Sequence, residues 1–346
     1  MKKFLLSISI FGLFLLLPSP AIATQSTVTL STATITTDAR DQFNQTETPS
    51  ISVESSSSLT QNITKLLNTL RGRPTTAQAN ITNPQGEIIL EKNLKSGTNN
   101  LTVENEKLSP GKYKIMVNDQ ELTTFRWGVL TLNTNQDTYQ PGENIYFQAA
   151  SLSETGHTLC NSNLRLTVGG QDIPLKKSET CGANNVTDSP DYFANYQLTN
   201  AGSFVAELTN LDNSFKITKT INVGEAAPFT VERVGATRIN PFKADYTMTV
   251  KIKANQHGYS GEIKEQLPSN FTALSPIVWS TDLKPGEEKI FTYTYRAPKV
   301  SPAIFNLGPI LIGTYQEAQT WSLASDATFQ MQTGYYPGSG TDDRAI

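Results

Sequence analysis

The 346-residue sequence carries only two histidines and two cysteines, and charged residues make up just 17% of it. Each scarcity excludes something. His157 and His257 each sit beside a glycine, Gly156 and Gly258, in turn-like segments. No nucleophile-elbow sequence accompanies them, so a Ser-His-Asp hydrolase has little to be built from. Two cysteines are too few to make a structural zinc site alone. A net charge of −3 with no basic stretch gives no footprint for nucleic acid. The longest apolar run, Phe4 to Leu17, falls short of the roughly 20 residues a spanning helix needs. Little charge and much Ser, Thr and Asn suits solvent-facing strand positions better than helix surfaces.

What is present begins with a leader. Lys2 and Lys3 precede that apolar run, and Ala21-x-Ala23 supplies the small-residue pattern of a cleavage site. Residues 1–23 are therefore expected to be a signal peptide and the mature chain to be secreted or displayed on the cell surface. Membrane attachment is expected only through an uncleaved leader or an anchor downstream of residue 346. Export gives the cysteines a purpose, because an oxidising compartment favours a Cys160–Cys181 bridge. Closing a loop of that size contributes about 3 kcal/mol by the chain-entropy estimate.

Alternating apolar residues dominate the rest. Ile51 and Val53, then Ala77, Ala79 and Ile81, are early examples. Tyr246, Met248, Val250 and Ile252 alternate with Thr and Lys later on. Turn residues recur between such runs, the signature of β-sandwiches. One segment has helical spacing: Leu59, Ile63, Leu66, Leu67 and Leu70 share a face, with Ser58 and Gln61 as a capping pair and Gly72 and Pro74 as a stop. The prediction is an all-β chain of three tandem Ig-like β-sandwiches, with a short helix at about 58–71 inserted in the first. The expected units are 24–126, 127–224 and 225–332, followed by a disordered tail at 333–346. Trp127 and the segment from Gly224 to Pro228 are the expected joints, where tandem domains usually bend.

The stretch from Asn133 to Glu143 organises this reading. Asp137, Tyr139, Pro141, Gly142 and Glu143 form a turn between two strand-like runs, with Pro141 presetting φ and Gly142 accepting a positive one. Asp41, Phe43 and Glu47 echo that spacing. Gly111 with Tyr113, and Gly202 with Phe204, repeat a second marker late in each unit, which suggests a duplicated module.

Leu130-x-Leu132 followed by Asp137-x-Tyr139-x-Pro141-Gly142-Glu143 resembles the second macroglobulin-type domain of protease-trapping and complement-like proteins. That family's Gly-Cys-Gly-Glu-Gln thioester core is absent, so the resemblance implies a sandwich and not a trap. Glu265-Gln-Leu-Pro-Ser269, Phe271, Trp279 and Leu283-x-Pro285-Gly286-Glu287 are similar to conserved-repeat Ig-like modules of bacterial surface proteins. Asn184-Asn-Val-Thr-Asp-Ser-Pro-Asp-Tyr192 is similar to a stretch in exported proteins of candidate-phylum bacteria.

Chemistry is harder to place. Asp38, Asp41, Glu47, Asp137, Glu143, Asp188 and Asp191 offer oxygen ligands near the joints, but without the dense spacing of a dedicated calcium loop. They read as turn-capping carboxylates, and no catalytic, cofactor or metal residue is assigned. Trp127, Trp279 and Trp321 read as core rather than as a sugar platform. The expected role is a non-catalytic structural or adhesion protein that contacts protein or glycan. The alternatives are a protease-defence component lacking the thioester and an envelope enzyme using carboxylates not identified.

Overall fold

The computed structural model describes residues 26–29, 34–37, 42–56, 77–179, 181, 190–225, 227–242 and 244–327. The expected leader, the helix at about 58–71, the tail, and Asp38, Asp41 and Asp188 lie outside these residues. The described chain is strands and turns, with a 3-10 turn at Asn105–Lys107.

Three hydrophobic cores organise the strands. The first gathers Ile51, Val53, Ile81, Leu101, Tyr113 and Phe125, all at 1% exposure or less. It lies between a four-stranded and a five-stranded sheet. Ser50–Ser56 and Gly97–Thr102 pair in the former, and Gln78–Thr82, Gly111–Val117 and Gln120–Trp127 in the latter. The second core, including Leu130, Ile145, Phe147, Leu208 and Ile221, lies between two five-stranded sheets. The third, including Val250, Ile263, Tyr293, Leu307 and Trp321, is enclosed by sheets of four, three and four strands. The period-2 pattern read from the sequence appears directly as burial. Tyr246–Ala254 alternates buried with more exposed residues along its whole length.

The turn after Tyr139 has a defined job. Thr138–Tyr139 pairs in parallel with the end of Phe215–Val223, so a short early strand closes the sheet beside its last strand. Glu143 then accepts the backbone N–H of Gln140 through Oε2 at 2.8 Å, while Gly142 takes φ +87°. Gln42–Phe43 does the same in the first sandwich, parallel to Gln120–Trp127, with Glu47 accepting the N–H of Asn44 at 2.6 Å. Arg238–Ile239 repeats the parallel pairing in the third, beside Trp321–Ser325. That third instance escapes the sequence pattern because Pro241 is kept but Phe242-Lys243 stand where Gly-Glu would.

Two strands of more than two residues break the half-buried rule. Leu130–Thr134 and Trp321–Ser325 are buried at every residue. A strand in a free-standing sandwich shows one face to water. Full burial means that a neighbouring sandwich covers the outer face. The bonds made at the expected joints lie within single sandwiches. Trp127 is 5% exposed and donates its indole N–H to the Glu47 carbonyl at 2.9 Å. Gly224 donates its N–H to the Tyr139 carbonyl, and the Pro228 carbonyl accepts from Asn255.

Candidate functional site

The seam between the second and third sandwiches is built from the stretch that opens at Asn133. In an alternating strand, Thr131 and Asn133 point away from the core that holds Leu130 and Leu132. Asn133, 2% exposed, uses both ends of its amide on one residue of the third sandwich. Its Nδ2 donates to the Ser322 carbonyl and its Oδ1 accepts from the Ser322 N–H, each at 2.9 Å. The side chain thus stands in for a missing strand partner. One residue on, the Thr134 hydroxyl donates to Gln319 Oε1 at 2.9 Å, and Gln319 Nε2 donates back to the Thr134 carbonyl at 3.3 Å. Asp137 Oδ2 accepts from the Tyr315 hydroxyl and from the Ala318 N–H, both at 2.9 Å. Burial together with the Asp137 charge pushes the Tyr315 phenol well above its ordinary value.

A second polar cluster lies at the other end of this seam. Arg238 Nη1 meets Asp191 Oδ1 at 2.7 Å, with both side chains almost fully buried. Burial pushes the Asp191 carboxyl up to about 6, against the pull of Arg238 and with a push from Asp326. Burial likewise lowers Arg238, more than Asp191 and Asp326 can restore. Asp326, 1% exposed, accepts from the Thr158 N–H at 2.9 Å and the Thr158 hydroxyl at 2.8 Å, and lies 3.2 Å from His157 Nδ1. The Cys160–Cys181 disulfide forms in this neighbourhood. Its sulfurs lie near an Asp191 oxygen, but a disulfide offers no thiolate to a metal.

Within the third sandwich, Arg233 is clamped between two carboxylates, all three side chains being fully buried. Its Nη1 donates to Glu265 Oε2 at 2.8 Å and its Nη2 to Glu317 Oε2 at 2.6 Å. Burial alone would lower the guanidinium, yet the two carboxylates hold it well above its ordinary value. Burial raises Glu317, against the Arg233 charge. Such a triad is sealed from substrate, and its cost in desolvation is offset only because the fork geometry satisfies it. Its backbone reaches the seam too, since the Arg233 N–H donates to the Asn135 carbonyl at 3.3 Å.

The first sandwich joins at several places, among them Gln42, whose amide donates to the Ser214 carbonyl and accepts from the Lys216 N–H, each at 3.1 Å. The Lys112 N–H donates to the Glu154 carbonyl at 2.8 Å, and Glu154 pairs with Arg126 at 2.7 Å. Arg126 and Lys112 hold the Glu154 carboxyl below its ordinary value against the opposing effect of burial. Gly156, at φ +87°, lies where all three sandwiches meet. A Cβ there would come within 2.5 Å of the Pro110 carbonyl and 2.8 Å of Pro302. Elsewhere Gln45 Nε2 donates to Ser322 Oγ at 2.9 Å, tying the first sandwich directly to the third.

A cleft of about 350 Å³ opens beside the Gln45–Ser322 contact, with no lining residue from the Gly156 junction. Gln45 borders it from the first sandwich, Lys219 and Thr220 from the second, and Asn306 and Gln319 from the third. The Lys219 ammonium donates to Gln319 Oε1 at 3.0 Å, and burial pushes it down to about 8 despite the Glu317 and Asp137 charges.

Of the residues singled out in the sequence, Asp137 alone of the turn motif's carboxylates reaches the seam. Glu143 caps its own turn. Asn133, Thr134, Lys219, Arg238, Gln319, Ser322 and Asp326 were not anticipated. Arg233 and Glu265 carried a usable signal, because each occupies the inward phase of its strand, after Val231 and Ile263 respectively.

The fold and seam define a protein of several packed β-sandwiches. A family model described as a secretion system C-terminal sorting domain matches residues 55–129, within the first sandwich and its exit. The chain is accordingly an exported protein, secreted or held at the cell surface. No curated protein matches the sequence. Among solved structures, native Escherichia coli alpha-2-macroglobulin is 11% identical at TM-score 0.26, covering 86% of this chain and 23% of its own. Bacteroides ovatus SGBP-B, from a mixed-linkage glucan utilization locus and solved with a mixed-linkage heptasaccharide, is 12% identical at TM-score 0.22, with coverages of 82% and 66%. The Escherichia coli adhesin FdeC is 10% identical at TM-score 0.20, with coverages of 80% and 92%. The chain spans 23 to 33% of the length of the first macroglobulins it matches. At such scores the likenesses carry no argument about activity or ligand.

Proposed function

We propose that this protein is a non-catalytic arm of the cell surface, in which three β-sandwiches fused into one unit present a contact face to protein or glycan. The observation that carries the reading is the double burial of Leu130–Thr134 and Trp321–Ser325, cemented by the Asn133–Ser322 pair. A tether needs only loose joints. A seam of buried polar contacts holds loops from different sandwiches at fixed separation, which is what a composite contact surface requires. Three of the buried carboxylates are engaged with arginine, Glu265 and Glu317 with Arg233 and Asp191 with Arg238, while Asp137 accepts from Tyr315 and Ala318 and Asp326 from Thr158. On the same reading the second sandwich is a macroglobulin-like module and the third a conserved-repeat Ig-like module, within a chain built by duplication.

The test is retention of the purified full chain, coated on beads, by immobilised polysaccharides and extracellular proteins, alongside a hydrolase substrate panel. The expected result is saturable retention by at least one surface and no turnover. Turnover abolished by a single Asp or Glu substitution would sink the non-catalytic reading, and uniform lack of retention would sink the contact role.

A further inference from the structure

We propose that the cleft beside the Gln45–Ser322 contact binds a neutral saccharide through amide, hydroxyl and ammonium groups supplied by all three sandwiches. The inference rests on the contact role above and gives it a ligand class and a location. Its wall is made of groups that both give and accept hydrogen bonds. Gln45, Thr220, Asn222, Asn306 and Gln319 contribute amides and a hydroxyl, with little apolar surface beyond Leu132, Ile217 and Ala318. Polyols present donors and acceptors together and match such a wall, whereas a hydrocarbon or flat aromatic ligand does not.

Two groups are poised for a guest. Gln45 Oε1 is buried and has no hydrogen-bond partner among the described residues, although its Nε2 is engaged by Ser322. A buried acceptor without a donor is costly, and a ligand hydroxyl that reaches Oε1 by displacing the groups covering it removes that cost. Lys219 Nζ has three N–H donors, and the bond to Gln319 uses one. The remaining donors suit hydroxyl or ring oxygens.

Charge selects against ions. Asp137 stands in the cleft wall and Glu317 acts on Lys219 from behind it, so an incoming anion meets two carboxylates as well as the ammonium. A cation meets Lys219. A neutral ligand avoids both penalties, and about 350 Å³ lies within the range of small-molecule sites. No aromatic ring lines the cleft, so binding depends on hydrogen bonds and is weak for a single sugar.

The experiment is saturation-transfer NMR on the full chain with the methyl glycosides of glucose, galactose, mannose and N-acetylglucosamine, plus glucuronate and glycerol. It is run on wild type, Lys219→Met and Gln45→Leu, with folding checked by melting curves. At least one neutral glycoside should bind saturably, and each substitution should weaken it roughly ten-fold, the scale of one lost hydrogen bond. Stronger binding of glucuronate, or equal binding of glycerol, overturns the ligand class. Binding untouched by both substitutions overturns the location and leaves the contact role standing. Absence of glycoside binding overturns the proposal, while bead retention by a protein surface would still uphold that role. A readout free of substitution is the ¹⁵N-lysine spectrum of wild type. The Lys219 resonance should move on saturation with glycoside, and a fixed resonance overturns the proposal even where a variant fails to fold.

Discussion

Replacing Asn133 with alanine strikes the seam at its most exacting point. The substitution removes two 2.9 Å hydrogen bonds and leaves the N–H and carbonyl of Ser322 facing a buried space. Each bond is worth about 1 kcal/mol net, and each orphaned buried group costs about 1–3 kcal/mol, so the coupling between the second and third sandwiches should fall by roughly 2–4 kcal/mol. The strand itself should persist, because Leu130 and Leu132 still anchor it in the second core. The loss therefore belongs to the seam and not to either sandwich. Calorimetry of wild type should show the second and third sandwiches melting together. Asn133→Ala should separate the transitions, and in a Trp127→Phe background tryptophan fluorescence from Trp279 and Trp321 should follow the third sandwich alone. A variant that melts in one transition at the wild-type temperature would refute the reasoning. Ser322→Ala is the matched control, since it keeps the backbone groups that Asn133 engages and should leave the two transitions fused.

The other expectations concern separate parts of the fold. Asp191 has a folded pKa of about 6 against an ordinary 3.8, so the folded state binds the extra proton between roughly pH 4 and 6. Stability from this group is present at low pH and falls, by about 3 kcal/mol in all, as pH rises through 6. Urea titrations of wild type and Asp191→Asn at pH 4.5 and 7.5 should show that slope flattened in the variant; equal slopes contradict it. Gly156→Val adds a side chain where a Cβ alone would sit 2.5 Å from the Pro110 carbonyl, on a backbone at φ +87°. It should destabilise the chain by several kcal/mol and lengthen its scattering profile, and an unchanged profile would contradict the three-way junction. Cys160→Ser should cost about 2–4 kcal/mol under oxidising conditions, and nothing further on adding reductant. Trp321→Ala empties the third core and loses a 3.0 Å bond to the Ala236 carbonyl, so unfolding free energy should drop by about 3–5 kcal/mol.

Period-2 patterning made the sandwiches readable, because Val, Ile and Tyr at alternate positions have one physical explanation when water lies on the other side. The same logic hid the seam. Thr131, Asn133 and Ser322 occupy outward positions and are polar, as solvent-facing residues are. Nothing in their type says that another sandwich, rather than water, satisfies them. The turn around Asp137 to Glu143 was legible as a turn through Pro141 and Gly142, whereas the attachment of Asp137 to Tyr315 spans 178 residues and has no local trace. Arg233 differs, since a charge on the inward phase of a strand demands a buried partner. Following that phase to Glu265 would have exposed part of the triad. The cleft depends on three remote segments converging, so its composition had no signature along the chain.

The three sandwiches should move as one body. The direct measurement is the distance distribution between spin labels at Ser96→Cys in the first sandwich and Gln256→Cys in the third, both exposed positions away from the seam. Electron–electron resonance should give one narrow distance in wild type and a broad distribution once Asn133→Ala is added. A broad distribution already present in wild type would contradict the fused arm and, with it, any site assembled from all three sandwiches.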